Sequence, residues 1–245
     1  MTSHASKVPP VILAFWVVKI LATTLGETGS DALSMTMKLG YGASTVVFLA
    51  FFVVALAAQL ATSRYHPVVY WLVVVATTTV GTTMSDYFDR TLGLGYVKSS
   101  AILLALVIVA LVVWRRTTGA IAVDHITTRA NEAFYWITIL ISNTLGTALG
   151  DFVADDAGLG FEKGSLVFAG LIAVVALAHF FTKAPKPILF WAAYVLTRPL
   201  GATLGDMLTK PHAEGGFELG RLQSSAVIAV AMIAIVATTR LRKRT

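Results

Sequence analysis

The chain has 245 residues, of which 56% are hydrophobic and 13% charged, and its mean hydropathy is +0.77. Soluble domains carry about 25% charged residues, so this composition excludes an ordinary soluble fold. The formal net charge is +6 and there is no Cys, which excludes disulfides and thiolate metal sites. Any bound metal would therefore have oxygen or imidazole ligands.

Near-apolar stretches of about 20 residues recur along the chain, and each is long enough to cross a hydrocarbon layer of about 30 Å. They predict eight transmembrane helices, at residues 11–30, 43–62, 67–86, 98–114, 132–151, 165–181, 187–206 and 223–239. The first stretch lacks a small-residue cleavage site, so we interpret it as a span and not as a signal peptide. The predicted fold class is all-α, a polytopic membrane helix bundle.

One short pattern occurs four times along the chain. Each copy begins with an aromatic residue followed by Trp, at Phe15-Trp16, Tyr70-Trp71, Tyr135-Trp136 and Phe190-Trp191. Ten residues later comes a Gly (Gly26, Gly81, Gly146, Gly201), and five residues after that an Asp (Asp31, Asp86, Asp151, Asp206). The pattern predicts four tandem two-helix repeats at about residues 9–64, 65–118, 128–184 and 185–240, followed by a basic cytoplasmic tail at 241–245.

Each copy contains two predicted spans, so all four copies share one orientation in the membrane. Parallel repeats are related by an axis along the membrane normal, which predicts one membrane domain with pseudo-fourfold symmetry or with two pseudo-twofold halves. Most basic residues lie at the termini and between copies, as Arg115 and Arg116 do. Because basic residues favour the cytoplasmic side, we expect both termini in the cytoplasm and the four Asp residues at the outer face. The positive charge is thus a topology signal, and no nucleic-acid partner is expected.

Small residues form a stripe on the first helix of each copy. The Gly of each copy is followed four positions later by another small residue, in the pairs Gly26-Ser30, Gly81-Ser85, Gly146-Gly150 and Gly201-Gly205. This spacing lets membrane helices approach each other closely. We therefore interpret Gly26, Gly81, Gly146, Gly150, Gly201 and Gly205 as helix-packing residues.

Two basic residues, Lys19 and Arg198, lie inside apolar runs, where a charge is costly unless it is paired or hydrated. Two interpretations stay open. Each residue either has a structural role or takes a direct part in function. In the structural role its charged group extends to the membrane surface, or it forms an ion pair with Glu27 or a neighbouring Asp that holds the first copy against the fourth.

The four Asp residues are the candidate ligands for a cation. On an ideal helix each Asp lies near the face that carries Thr24, Thr79 or Thr144 in the first three copies. Carboxylate and hydroxyl oxygens can replace the water shell of a cation. The predicted ion-binding set is Asp31, Asp86, Asp151, Asp206, Glu27, Thr24, Thr79, Thr144 and Asn143, with the four Asp residues as metal ligands. The alternative is that each Asp only ends a helix in water.

The four copies of Trp followed by Gly-x-x-x-small-Asp give the chain a family resemblance. It resembles bacterial membrane proteins made of four tandem repeats of unknown function, each repeat with two spanning segments and a Trp. The resemblance extends from about Val11 to Thr239 and implies a bacterial inner-membrane location. The fourth copy departs from the pattern at Arg198 and Pro199, so we do not expect it to be equivalent to the others.

The sequence contains no phosphate-binding loop, dinucleotide motif, nucleophile elbow or paired-His zinc helix, so we do not predict an enzyme. We predict a cation transporter, with a divalent metal as the first substrate to test and no other cofactor. Two alternatives stay open: a non-transporting membrane protein that binds a partner or lipid, and a cation channel. The expected partners are the lipid bilayer and a small ion, and a homo-oligomer is also open.

Overall fold

The computed structural model describes residues 6–121 and 126–241, so most of the predicted basic tail lies outside the described residues. The described chain is helical. Its long helices are Leu13–Asp31 (α1), Tyr41–Ala61 (α2), Pro67–Asp86 (α3), Tyr96–Thr118 (α4), Arg129–Asp151 (α5), Gly160–Phe181 (α6), Lys186–Thr209 (α7) and Arg221–Leu241 (α8). Each of the eight predicted spans corresponds to one of these helices, with ends that differ by a few residues.

Seven of these helices are long and apolar enough to cross a membrane, so the chain is a multi-pass membrane protein. Among the described helices, α1 is the one that is not apolar enough to be counted with them, although we predicted it as a span. Its 19 residues include Lys19, Glu27 and Asp31. These three side chains lower the hydropathy of α1, yet all three are buried. Helix α1 is therefore a polar helix in the interior of the bundle.

The centre of the bundle is a closed ring of four helices. Helix α1 packs on α3, α3 on α5, α5 on α7, and α7 on α1. In the most apolar 18-residue stretch of each helix, the share of buried residues is 72%, 67% and 67% for α3, α5 and α7. For α2, α4, α6 and α8 the share is 22%, 28%, 17% and 11%. The first helix of each copy is thus an inner helix, and the second lies outside the ring.

Each outer helix packs on the inner helix of the next copy. Helix α2 packs on α3, α4 on α5 and α6 on α7, while α8 returns to pack on α1. The contact between α8 and α1 joins the last copy to the first, so the arrangement of helices is cyclic. The packed helix pairs are consequently different from the pairs that are adjacent within one sequence repeat.

Glycines allow the close contacts between the inner helices. Gly26 faces Thr78, Gly81 faces Asn143, Gly146 faces Arg198, and Gly201 faces Thr23. A Cβ atom at Gly26 would collide with the Thr78 side chain and would lie 3.2 Å from the Thr78 carbonyl carbon. Gly150 and Gly205 make similar close contacts one turn later, against Ala202 and Glu27. The structure thus places all six predicted packing glycines at contacts between inner helices.

Aromatic side chains fill the end of the bundle opposite the four Asp residues. The first aromatic residue of each copy contacts the Trp of the next copy. The ring centroids are 5.7 Å apart for Phe15 and Trp71, 5.6 Å for Tyr70 and Trp136, 6.0 Å for Tyr135 and Trp191, and 5.7 Å for Phe190 and Trp16. Edge and tilted contacts of this kind are favourable. The layer closes this end of the bundle with the same cyclic order as the helices.

The four Asp residues lie at the opposite end of the inner helices. In the first three copies the α-helix ends at the Asp and a π-helical turn follows, at Ala32–Thr36, Tyr87–Thr91 and Phe152–Asp156. In the fourth copy α7 continues as an α-helix to Thr209. The fourth copy therefore differs from the others in structure, as its sequence predicted.

Candidate functional site

The carboxyl groups of Asp31, Asp86, Asp151 and Asp206 are buried at one end of the inner ring, with relative exposures of 2%, 3%, 3% and 3%. They are therefore buried side chains and not solvated helix ends. Two basic side chains divide the four carboxylates into two pairs. Each basic residue lies four positions after the Asp of its own copy and also reaches the Asp of a neighbouring copy.

Arg90 bridges the second and third copies. Its Nε atom lies 3.1 Å from Oδ1 of Asp86, and its Nη2 atom lies 3.2 Å from Oδ2 of Asp151. The same guanidinium donates a hydrogen bond of 3.4 Å to the Tyr41 hydroxyl. Because a guanidinium presents several donors in a fixed plane, it can hold both carboxylates at once.

Lys210 bridges the fourth and first copies with longer contacts. Its Nζ atom lies 3.5 Å from Oδ1 of Asp206 and 3.8 Å from Oδ2 of Asp31. The Nε atom of Arg221 lies 3.5 Å from the same oxygen of Asp31. Burial lowers the pKa of Lys210, but the carboxylates of Asp206 and Asp31 outweigh that effect and raise it above its usual range. Lys210 therefore stays a cation next to these two acids.

Glu27 joins this second pair to form a cluster of three carboxylates. Glu27, Asp31 and Asp206 each offer an oxygen, and these oxygens all lie within 4.8 Å of one another. Across the part of the chain that the structure describes, this is the one group of three metal-ligating side chains so close together. Within the same part, Oδ2 of Asp31 and Oδ1 of Asp206 are buried and accept no hydrogen bond.

Arg198 lies beside this cluster, deeper in the bundle. Its Nη2 atom donates hydrogen bonds to Glu27 at 2.9 Å, to Thr147 at 2.7 Å and to Thr82. The Thr82 hydroxyl also donates to Glu27, at 3.4 Å. All four inner helices therefore contribute to one cluster of hydrogen bonds. Its members are Arg198 from α7, Glu27 from α1, Thr82 from α3 and Thr147 from α5. The predicted ion pair between the first and fourth copies exists, and it joins Arg198 to Glu27.

Lys19 is buried farther towards the aromatic layer. Its Nζ atom lies 3.4 Å from Oδ1 of Asn143 and 4.3 Å from the centroid of the Tyr194 ring. The Asn143 amide in turn donates a hydrogen bond of 3.0 Å to Thr77. Among the described residues Lys19 has no acidic partner within ion-pair distance, so the ion-pair interpretation applies to Arg198 and not to Lys19.

Comparison with known families assigns the repeats. Four segments of the chain match the family described as Repeat of Unknown Function (DUF347), at residues 14–65, 69–120, 134–184 and 189–245. The chain belongs to this family. No curated protein and no solved structure matches the chain. The predicted resemblance to a family of four tandem repeats of unknown function is confirmed, and each DUF347 repeat contains one Trp, one packing Gly and one buried Asp of the pattern.

In the DUF347 repeats, the Thr hydroxyl groups predicted as ligands lie at a different depth from the Asp carboxylates. Thr24, Thr79 and Thr144 each precede the Asp of their repeat by seven residues, or about 10 Å along the helix axis. Their hydroxyls donate to carbonyl oxygens one turn earlier in the same helix, at 3.0 Å to Ile20, 3.2 Å to Val75 and 3.1 Å to Leu140. An offset of this size does not allow these hydroxyls and the Asp carboxylates to bind one ion. Asn143 also lies away from the carboxylates, since it precedes Asp151 by eight residues, or about 12 Å along the helix axis.

The sequence analysis did not identify five residues that the structure brings to the site: Arg90, Lys210, Arg221, Thr82 and Thr147. Arg90 and Lys210 occur four positions after the Asp in the second and fourth repeats only, and this alternation is the signal that predicts two pairs. Thr82 and Thr147 follow the Gly of their repeats directly, in the register that Glu27 occupies in the first repeat. A comparison of that register among the four repeats would have found a polar layer next to Arg198.

Proposed function

We propose that this chain is a membrane transporter that binds a divalent cation at the cluster of Glu27, Asp31 and Asp206. The observation that carries the proposal is the mutual approach of their buried oxygens to within 4.8 Å. Calcium-like ions bind oxygen at about 2.3–2.6 Å, so two ligands on opposite sides of one ion are up to about 5 Å apart. The spacing of the three carboxylates thus suits a single hard cation, and the absence of thiols in the sequence favours the same class of ion.

Buried charged residues beside the cluster favour transport over a structural role. Charged side chains continue along α1 at Lys19, Glu27 and Asp31, at intervals of about 12 Å and 6 Å along the helix axis. Arg198 adds a further buried charge at the level of Glu27. Ionisable residues inside a membrane bundle are costly and commonly mark the route of an ion. The acids of this set favour a cation at the carboxylate end of the ring, whereas Lys19 and Arg198 oppose its passage deeper into the bundle.

The proposal includes eight transmembrane helices, with α1 crossing the membrane inside the ring. The cyclic packing of the inner helices supports a pseudo-fourfold arrangement of helices. The charges favour two pseudo-twofold halves, because only the second and fourth repeats carry a basic residue four positions after the Asp. The two proposed symmetries therefore apply to different features, the helices and the charged side chains.

The orientation that we propose follows from the basic residues between the repeats. Both termini would lie in the cytoplasm of a bacterial cell, and the carboxylate end of the ring would face outward. The cation site would then be near the outer surface of the inner membrane, while the aromatic layer would close the cytoplasmic side. Assembly into a homo-oligomer is compatible with this arrangement and is not required by it.

The proposal is tested with the purified full-length chain, first by thermal unfolding in detergent with Ca²⁺, Mn²⁺ or Mg²⁺. A ligand that binds only the folded state at about 100 times its Kd adds about 2.7 kcal/mol of stability, which raises the melting temperature. Flux of the same ions into liposomes that contain the protein and a trapped metal-sensitive dye is measured in parallel. We expect Asp206→Asn to abolish both the thermal shift and the flux.

Two further variants locate the site. Asp156→Asn removes an exposed carboxylate at the same end of the bundle and should leave binding unchanged. Asp151→Asn separates two arrangements: it leaves binding intact if the ion occupies the cluster of three, and it abolishes binding if all four Asp residues surround one ion. The proposal fails if no ion shifts the melting temperature and no ion crosses the membrane.

A further inference from the structure

We propose that Lys210 is a tethered counter-ion of the cation site, which competes with the transported cation for Asp31 and Asp206. This inference rests on the proposed function, because it concerns regulation of the same carboxylate cluster. Its basis is the position of the Lys210 ammonium, which lies 3.5 Å from Asp206 and 3.8 Å from Asp31. The two nearest carboxylate oxygens are those that accept no hydrogen bond among the described residues.

The ammonium and a divalent ion cannot both hold these two oxygens. An ion at about 2.3–2.6 Å from the same oxygens would lie within a few ångströms of Nζ. Repulsion between two cations at such a distance is strong away from bulk water. Binding of the ion therefore requires the ammonium to withdraw, and release of the ion allows it to return.

The backbone contacts of Lys210 restrict its proposed withdrawal to a movement of the side chain. The backbone of Lys210 is held, since its N–H donates to Asp206 O at 2.8 Å and its carbonyl accepts from Glu218 N–H at 3.0 Å. The side chain of Lys210 is 11% exposed, and the residue directly precedes the exposed loop that starts at Pro211. The flexible four-carbon stem of a lysine can rotate its ammonium from the carboxylates towards that loop.

The other half of the bundle provides the contrast. Arg90 contacts Asp86 at 3.1 Å and Asp151 at 3.2 Å, which are hydrogen-bond distances, and it also bonds to Tyr41. No third carboxylate joins that pair in the described structure. The Arg90 half is thus a fixed bridge. In the other half Lys210 and Arg221 both make long contacts, of 3.5–3.8 Å, and the extra acid Glu27 is present. This difference assigns cation exchange to the half that contains Lys210.

The experiment measures the Kd of Ca²⁺ and Mn²⁺ for the full-length protein in detergent at fixed ionic strength. The variant is Lys210→Met, which keeps the apolar stem and removes the charge. We expect it to bind the ion about tenfold more tightly than the wild type, within the usual range of coupling between two sites. The matched control is Lys98→Met, which removes an exposed charge at the same end of the bundle and should change the Kd less than about twofold.

Lys210→Arg supplies the opposite test, because its guanidinium can hold both carboxylates more firmly and should weaken ion binding. It also keeps the inference falsifiable if Lys210→Met does not fold, as judged by circular dichroism and size-exclusion chromatography. Equal or weaker binding by folded Lys210→Met, or unchanged binding by Lys210→Arg, overturns the role of Lys210 while the wild-type site stands. If the folded wild type and the folded Lys210→Met protein both bind no ion, the proposed function itself fails.

Discussion

Arg198 donates a hydrogen bond of 2.9 Å to Glu27, and both side chains are buried where α7 packs on α1. This contact joins the inner helix of the fourth repeat to that of the first. It closes the ring of inner helices with an ion pair, which the other three interfaces do not have at this level among the described residues. Its energetic role is therefore specific to the fourth repeat.

Removal of one partner should destabilise the protein more than removal of both. Arg198→Met leaves Glu27 charged and buried, and breaking a buried pair in this way costs about 3–5 kcal/mol. Glu27→Gln together with Arg198→Met leaves no unpaired charge, so we expect the double variant to be more stable than Arg198→Met alone. Thermal unfolding in detergent measures both effects. If the losses of the two single variants simply add, the side chains are not energetically coupled.

Gly26 and Gly29 lie on the same helix but should respond differently to replacement by Ala. A Cβ at Gly26 would collide with Thr78 of α3, whereas a Cβ at Gly29 meets nothing within 4 Å. We expect Gly26→Ala to destabilise the bundle by about 1–3 kcal/mol, because the two helices must separate. Gly29→Ala should be neutral or should stabilise α1 by up to about 1 kcal/mol through helix propensity. Equal melting temperatures for the two variants would contradict the close approach of α1 and α3.

Arg90 should be essential for the stability of the second and third repeats. Arg90→Gln leaves the buried carboxylates of Asp86 and Asp151 without their basic partner, at a cost of about 3–5 kcal/mol. The added substitution Asp151→Asn should recover part of that loss, because one charge fewer is then unpaired. Lys98→Gln, at an exposed position, should stay within about 0.5 kcal/mol of the wild type. Arg90→Gln with wild-type stability would show that the bridge contributes nothing.

The proposed orientation can be tested because the natural chain contains no Cys. Single cysteines are introduced at Ser63, between α2 and α3, and at Glu214, between α7 and α8, both at exposed positions. We expect a membrane-impermeant maleimide to label Glu214→Cys in intact cells, since the carboxylate end should face outward. Ser63→Cys should react only after the membrane is opened. The reverse pattern would overturn the orientation that the basic residues predict.

Local patterns in the sequence were enough to predict the repeats and their helices. Runs of apolar residues identify spans because the membrane demands a minimum length of continuous apolar chain. The register of Trp, Gly and Asp repeats along the chain, so it identifies the copies without knowledge of their packing. Among the described helices, α1 alone falls short of the expected apolarity, because it contains the charged residues Lys19, Glu27 and Asp31, which are buried in the protein.

The candidate site was predicted in part. The four Asp residues were identified from the sequence, and an ion pair with Glu27 was one of the alternatives it left open for Arg198. The predicted Thr ligands did not agree with the depth of the carboxylates. A helical wheel reports the angle between two residues but not the distance between them along the axis. Thr24 and Asp31 lie near one face of α1, yet they are about two turns apart.

By itself, the sequence determined that this is a four-repeat helical membrane protein with an Asp at one register of each inner helix, because hydropathy and spacing are properties of the local chain. Only the tertiary structure decided that each outer helix packs on the next repeat, and that Arg90 and Lys210 divide the four acids into two pairs. It also decided that Glu27 joins Asp31 and Asp206. These outcomes depend on how far a side chain reaches across a helix interface, and that distance is set by the packing of residues far apart in the chain.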